Sequence, residues 1–553
     1  MTSSKETHLH RIGQIAQVLS QHGLGSLYSA LGLHRFVPPA KGPAERPTTP
    51  TPPEHLRVAL EDLGATFVKL GQLLSTRADL LPPEYLAELA KLQDSVPPVP
   101  TEQIREVLVK ELGRPIDAAF ASFDPKPLAA ASIGQAHAAT RHDGFRVVVK
   151  IQRPGVAQQV EQDLDILRNL AATASHHWEV AEQYDLVGLV EEFEQTIREE
   201  LDYFHEARNV ERFATNFADD ASVHIPHVFW DTSTPRVLTL ERISGIKVSD
   251  QAELDAEHID HQALAERGAK IILKMIFEDG FFHADLHPGN FFIEANGRVG
   301  LIDFGMTGAL DERTRDRLAD LIVAVSSQDY EQLVEVILEL GMSKERVERS
   351  LLQRDLEHLI KPCYGKLLGE IRLAPVLNGV FAIIRKHHLH LPPNLASVLR
   401  TVIMTEGLGA SLDPSFNLTT VIEPYADRLM VRQYSPSRWA GKLAQASMEM
   451  AQLGVVVPQY LRRLLGEMER GSFEIGMRPN SFEPLVRRME SLANRLVLGI
   501  LAGALIVGLA VLVSFYHPQG WGRWTGAMLG LGLVISAVLG LYLAWSIVRS
   551  RHN

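Results

Sequence analysis

Two carboxylates and an amide stand where a short hairpin would gather them. The run from Phe281 to Gly305 reads F-F-H-A-D-L-H-P-G-N-F-F-I-E-A-N-G-R-V-G-L-I-D-F-G. Asp285 and Asn290 precede one apolar run, Phe291-Phe292-Ile293, and Asp303 follows another, Val299 to Ile302. Between them lies Ala295-Asn296-Gly297-Arg298, and Asn-Gly flanked by apolar runs is a strong hairpin signal. A hairpin returns its ends to one place, so the three side chains are expected to converge. Their oxygens are hard ligands, suited to Mg²⁺ carrying the phosphates of a nucleotide. His287 adds an H-x-D-x-H spacing, but nitrogen ligands favour softer metals, and the magnesium reading is preferred.

The same stretch resembles the protein-kinase catalytic loop H-R-D-L-x-x-x-N followed by D-F-G, with Ala284 in place of the arginine. Asp285 then orients or deprotonates an acceptor, and Asn290 and Asp303 hold metal. His283 is expected to pack structurally near the D-F-G turn. Arg146-Val147-Val148-Val149-Lys150-Ile151 resembles the strand that carries the phosphate-binding lysine, here Lys150. Where kinases carry a glycine-rich loop, Ala129, Ala130, Ala131 and Ser132 stand before Ile133-Gly134. Methyl groups limit how closely backbone N–H donors approach phosphate, so nucleotide handling should differ from that of an ordinary kinase. No A-P-E follows the D-F-G, so the segment that positions a protein substrate is missing.

Other elements must place these residues. Apolar residues recur at helical spacing from Leu56 to Leu74, which predicts one helical face carrying Lys69 and Gln72 as neighbours. Gly64 and Gly71 interrupt that pattern at a cost of about 1 kcal/mol each against alanine, which close packing would explain. Acidic residues crowd Val190 to Asn209, and a kinase helix at this place supplies one glutamate to the strand lysine. Read as one helix, Glu200 and Glu206 lie about 600° apart, hence on different faces, free to engage different lysines such as Lys150 and Lys69. Arg236 to Glu241 is a strand entering the inter-lobe hinge, where the backbone at Glu241 would meet adenine.

With 553 residues, 46% of them hydrophobic, the chain is expected to hold more than one domain. A formal charge of −12 argues against a nucleic-acid surface, and Cys363, the only cysteine, excludes an internal disulfide. Ile12, Ile15, Val18 and Leu19 suit an amphipathic helix, packed on the protein itself or lying on a membrane. The expected organisation is an N-terminal segment (1–36), a Pro/Thr-rich linker (37–53), a helical extension (54–127), kinase-like N- and C-lobes (128–245 and 246–430), a helical connector (431–490) and a terminal hairpin (491–553). In that hairpin Leu496 to Tyr516 is an uncharged run of about 31 Å as helix, and Trp524 to Val548 is another. Arg487, Arg488 and Arg495 before it, and Arg549 and Arg551 after it, place both ends on the cytoplasmic side. Its G-x-x-x-G spacings permit close packing, within the hairpin or between two copies as a homodimer.

K-L-G-Q (Lys69 to Gln72), A-A-A-S (Ala129 to Ser132), E-L-D (Glu200 to Asp202), H-A-D-L-H-P-G-N and D-F-G together resemble the UbiB family of atypical kinase-like proteins, over roughly residues 54 to 430. The resemblance implies an α+β, two-lobed kinase-like fold with a helical N-terminal extension, and the tail is similar to the two-helix anchor of bacterial members. It also implies that the Lys69–Gln72 helix folds over the pocket where a protein substrate would dock, with Glu200 the partner of Lys69 and Glu206 that of Lys150. ATP or ADP with Mg²⁺, polyprenyl quinone precursors, ubiquinone-biosynthesis proteins and the bacterial inner membrane are the implied partners and setting. The alternatives are a small-molecule or lipid kinase, whose loop can also read H-G-D-L-H-x-x-N, and a lipid-presenting scaffold that uses nucleotide only as a switch.

Overall fold

The computed structural model describes residues 2–22, 24, 51–92, 96–177, 185–327, 330–340, 348–363, 372–389, 391–422 and 425. The expected terminal hairpin, the helical connector and most of the Pro/Thr-rich linker lie outside these residues. Among the described residues, one helix, Pro393–Leu412, is long and apolar enough to cross a bilayer. Its Leu395, Ala396, Val398 and Leu399 are buried in the protein, as befits a core helix.

The N-terminal helix α1 (Thr2–Gln21) buries Ile15, Ala16 and Leu19 against its own chain, which decides between the two readings of its apolar stripe. Arg11 on its polar side forks onto buried Asp163 at 2.8 and 3.1 Å and reaches the Leu63 carbonyl at 2.8 Å. The expected single helix after the linker is two, α2 (Pro52–Leu63) and α3 (Ala65–Thr76). Gly64 separates them at φ 96°, a conformation an L-residue resists, so this glycine turns the chain. Thr51 and Glu54 form a capping box at the start of α2, so Pro52 and Pro53 of the expected linker belong to its first turn. Gly71 stays inside α3, where Leu60, Leu89 and Leu92 fill the space a side chain would need. Helix α4 (Pro83–Leu89) completes this layer, and α5 (Thr101–Leu112) follows.

Strands β1 (Ser122–Ala130), β2 (Gly134–Thr140) and β3 (Arg146–Gln152) join β5 (Val237–Glu241) in an antiparallel sheet of order β1-β2-β3-β5. Period-two alternation sends Val147, Val149 and Ile151 into a core with Ile104 and Leu108 of α5. The same alternation turns Lys150 to the opposite face. Helices α6 (Val156–His177), α7 (Leu186–Glu200) and α8 (Tyr203–Asn216) lie between β3 and β5 in sequence. The expected single helix through Glu200 and Glu206 is therefore broken. α7 ends at Glu200, and Asp202 caps α8 by accepting from the Phe204 amide at 3.0 Å.

Short strands β4 (Val223–His224), β6 (Ile246–Lys247), β8 (Phe291–Ile293) and β9 (Val299–Leu301) form a second sheet, order β4-β9-β8-β6. The β8–β9 hairpin turns at Gly297, φ 79°, as its Asn-Gly signal predicts. Between β6 and β8 come α9 (His261–Leu273) and β7 (Phe281–His283), and β7 pairs with β10 (Thr307–Ala309) beyond the hairpin. Helices α10 (Glu312–Ser327), α11 (Tyr330–Leu340), α12 (Arg349–Ile360), α13 (Leu373–Lys386) and α14 (Pro393–Leu412) follow. They share one large core with α8, α9 and the hairpin strands, including Phe213, Phe282, Phe304 and Phe381.

Candidate active site

Lys150 is the centre of the site. Its Nζ lies 2.5 Å from Glu206 Oε1 and 3.1 Å from Asp303 Oδ1. Strand pairing from β2 to β5 fixes its backbone, and α8 presents Glu206 one turn inside its capped end. The two carboxylates hold the ammonium pKa well above its ordinary value despite the cost of burial. Reciprocally, Lys150 holds the Asp303 carboxyl far below the usual carboxylate range, with Lys69 acting in the same sense. Asp303 is thus a fixed anion at neutral pH. Its φ of 62° turns the chain sharply before Phe304, whose ring is fully buried against Phe213 at 5.1 Å. Glu206 also accepts from the Phe304 amide at 3.3 Å, and Asn209 donates to the Phe304 carbonyl at 3.0 Å. One helix therefore fixes both the strand lysine and the D-F-G backbone.

The hairpin gathers its polar ends as expected. Asn290 Nδ2 donates to the Asp285 carbonyl at 3.1 Å, and the Ile302 amide donates to the Asn290 carbonyl at 3.1 Å. His283, buried completely, sits between the two arms: its Nε2 is 3.3 Å from the Ile302 carbonyl, and its Nδ1 accepts from the Asp285 amide at 3.2 Å. Burial pushes its pKa down, so the ring is a neutral structural brace, as the sequence suggested. His287 is exposed and its Nδ1 accepts from the Gly289 amide at 3.1 Å, a local turn contact.

The donors fit a magnesium-nucleotide better than a protein-caged metal. Among the described residues no group of three or more His, Cys, Asp or Glu side chains could hold a metal ion. Asn290 Nδ2 donates to the Asp285 carbonyl, which leaves its Oδ1 available as a ligand, and the Asp303 carboxylate is ionised. A cation held by two protein oxygens completes its shell with phosphate and water, the habit of Mg²⁺. Bound there, a magnesium-nucleotide would supply the transferable phosphoryl group. Lys150 would steady the phosphates, and Asp285 would orient the attacking oxygen.

Lys69 on α3 pairs with Glu200 at the end of α7. Gln72, one turn along, donates to the Leu92 carbonyl at 3.1 Å. Both expectations for the glutamates hold, but the break between α7 and α8 separates them, rather than opposite faces of one helix. Ala129, exposed at the end of β1, pairs with Ala136, which in turn pairs with Lys150, and Ser132 of the loop beyond is buried. Glu241 ends β5. Its amide donates to the His227 carbonyl at 2.9 Å, and its carboxylate accepts from the His227 amide at 3.2 Å and faces His224 at 3.3 Å. That N–H is therefore committed within the protein.

Sequence reasoning missed the far end of α3. Arg77 is buried between Asp79 and Glu192, and Arg385 of α13 donates to the Ala78 carbonyl. Arg400 of α14 reaches Ser75 at 3.3 Å; burial pushes its pKa down while Asp285 opposes the shift. These arginines lie in unrelated helices, and nothing in their local spacing singles them out.

Residues 91–337 match a family model described as ABC1 atypical kinase-like domain, residues 356–417 a UbiB helical domain, and residues 480–549 an ABC1/UbiB kinase-like C-terminal domain. A protein named probable protein kinase UbiB from Xanthomonas campestris pv. campestris is 34% identical, over 92% of this chain and 94% of its own. A Xylella fastidiosa protein of the same name is 32% identical, over 97% and 99%. The chain belongs to the UbiB family. Its kinase-like α+β core, and its motifs at Lys69, Glu200, Asp285 and Asp303, stand in the matched regions of a UbiB protein. A solved Mycobacterium tuberculosis structure, a complex with erythromycin, is also similar, at 25% identity and TM-score 0.47, over 64% of this chain and 90% of that one.

Proposed function

We propose that this UbiB protein binds a magnesium-nucleotide and hydrolyses it, or transfers its phosphoryl group, at the cytoplasmic face of the bacterial inner membrane in support of ubiquinone biosynthesis. The observation that carries the reading is Lys150 held between Glu206 and Asp303, the latter on a hairpin whose other arm ties Asn290 to Asp285. Lys150 stabilises developing charge on phosphate, Asn290 and Asp303 hold the cation, and Asp285 positions the acceptor or water. Helix α3 contacts Glu200 through Lys69, and both Glu192 and the C-lobe arginines through its C-terminal end. A helix tied to both lobes beside Asp285 favours hydrolysis or a small acceptor over a protein substrate. The terminal hairpin anchors the soluble body where polyprenyl precursors partition.

The test is phosphate release by purified protein in liposomes with Mg²⁺ and ATP, beside quinone profiling of a deletion strain. Wild type releases phosphate and restores quinone; Asp303→Asn does neither, and an early precursor accumulates. Restoration by an inactive variant that still binds nucleotide would favour the scaffold. Phosphate appearing on a small hydroxyl acceptor would favour the small-molecule kinase.

A further inference from the structure

The alanine-rich loop is fastened in a way that commits its Ala131 amide within the protein. The Ala131 amide donates to the Gly134 carbonyl at 2.8 Å, closing the turn on itself. Arg153 grips the other side, its Nε donating to the Ala131 carbonyl at 2.8 Å and its amide to the Ile133 carbonyl at 2.9 Å. Ile133 at the tip is buried with Phe67, Leu89 and Leu92 of the helical extension. Gln135 accepts from the Val99 amide and is linked to His137, which reaches the Asp124 carbonyl at 2.9 Å. A loop anchored at this many points does not fold its Ala131 N–H onto a ligand. That amide, the counterpart of one donor in a kinase loop, is not offered to a ligand.

Tyr203 stands in that gap. It opens α8 one turn before Glu206, with its amide on the Pro235 carbonyl at 2.9 Å, and it is 5% exposed. Its phenol oxygen lies against Gly134, so closely that a Cβ there would collide with it and would meet the Ile151 carbonyl at 2.9 Å. Gly134 is thus the glycine that admits the phenol. Lys150, Glu206, Glu200 and Asp303 all act on that hydroxyl electrostatically, and burial raises its pKa, so it stays protonated and is a donor. Among the described residues no side-chain hydrogen bond joins it to a protein acceptor, and its oxygen is not one of the buried polar atoms left unsatisfied, so it stays open to the cleft.

We propose that the Tyr203 hydroxyl donates a hydrogen bond to the phosphate chain of the bound nucleotide, supplying the neutral donor that the alanine-rich loop keeps to itself. The proposal rests on the nucleotide reading above and adds one recognition residue to it. It identifies the ligand feature read here as phosphate oxygen rather than base or ribose.

The full-length protein is titrated with a non-hydrolysable ATP analogue plus Mg²⁺, and separately with adenosine, by calorimetry. Tyr203→Phe keeps the ring and removes one oxygen. The analogue should bind about tenfold more weakly, which corresponds to roughly 1.4 kcal/mol. Adenosine affinity and the unfolding midpoint without nucleotide should not move. Equal analogue affinity in wild type and variant overturns the proposal, as does an equal loss for adenosine, which would make Tyr203 a packing residue. Wild type that fails to bind the analogue at all overturns the nucleotide reading itself, so the two failures are distinct.

Discussion

Lys69 of the helical extension is ion-paired with Glu200, the last residue of the helix before the one that carries Glu206, the partner of Lys150. Both side chains are mostly removed from solvent, at 11% and 16% exposure, so the pair is screened less than a surface one. It joins the extension to the lobe that holds Lys150.

A double-mutant cycle with Lys69→Ala and Glu200→Ala should therefore show coupling of about 1–3 kcal/mol in urea unfolding, each single change costing more than its share of the pair. Limited proteolysis between Thr76 and Pro83, where α3 gives way to α4, should accelerate in either single variant. Coupling near zero would mean that apolar contacts hold the extension without this pair.

Asp303 gives the site its fixed negative charge. Asp303→Asn should lower phosphate release by about a hundredfold or more, in line with losing an electrostatic group that acts in the transition state. The folded-state pKa lies below the unfolded value, so the carboxylate contributes stability above the unfolded pKa of about 3.9 and loses it as pH falls toward the folded value. The stability difference between wild type and variant should stay level from pH 7 to about 5 and shrink below about 4. A difference that shrinks at neutral pH would contradict the Lys150 pairing.

His283 should act in a higher window. Its folded pKa is depressed by burial below the ordinary value of about 6.5, so the unfolded chain takes up a proton first as pH falls. Stability contributed by the neutral ring is present above about pH 6.5 and declines below it. Protonation also removes the Nδ1 acceptor for the Asp285 amide. His283→Gln should cost stability at pH 8 and flatten the slope between about pH 6.5 and 5, as read by thermal unfolding across pH. An unchanged slope would assign that loss to other groups.

Two glycines of the extension should respond differently to alanine. Gly71→Ala places a methyl against Leu60 and Leu92, and overpacking of about 1–3 kcal/mol should outweigh a helix-propensity gain of about 1 kcal/mol. A compensating Leu92→Ala should recover part of it. Gly64→Ala should cost about 1 kcal/mol through its positive φ, and no neighbouring truncation should relieve it. Rescue of both by Leu92→Ala would undo the distinction.

Arg11 holds the N-terminal helix by its fork onto Asp163, whose side chain is wholly buried. Arg11→Ala strands that carboxylate and should cost about 3–5 kcal/mol, against far less when Asp163→Asn is made in the same chain. Equal losses in the single and double variants would show that the helix docks through Ile15, Ala16 and Leu19 alone.

The chemistry-bearing residues were legible because they are local. Asp285, Asn290 and Asp303 sit on one hairpin whose Asn-Gly turn and flanking apolar runs are written within a short stretch, and strand alternation aims Lys150 away from its valines. Sequence periodicity also assigned the helices, but it could not see that Gly64 takes a positive φ while Gly71 stays helical, since spacing does not encode φ, or that Asp202 starts a new helix. Only the tertiary structure decided which carboxylate meets which cation, that the Glu241 amide is spent on His227, and that Arg385 and Arg400 come from the C-lobe to the end of α3. Such pairings join residues far apart in the chain, and their free energy depends on burial and approach, which spacing along a sequence does not encode.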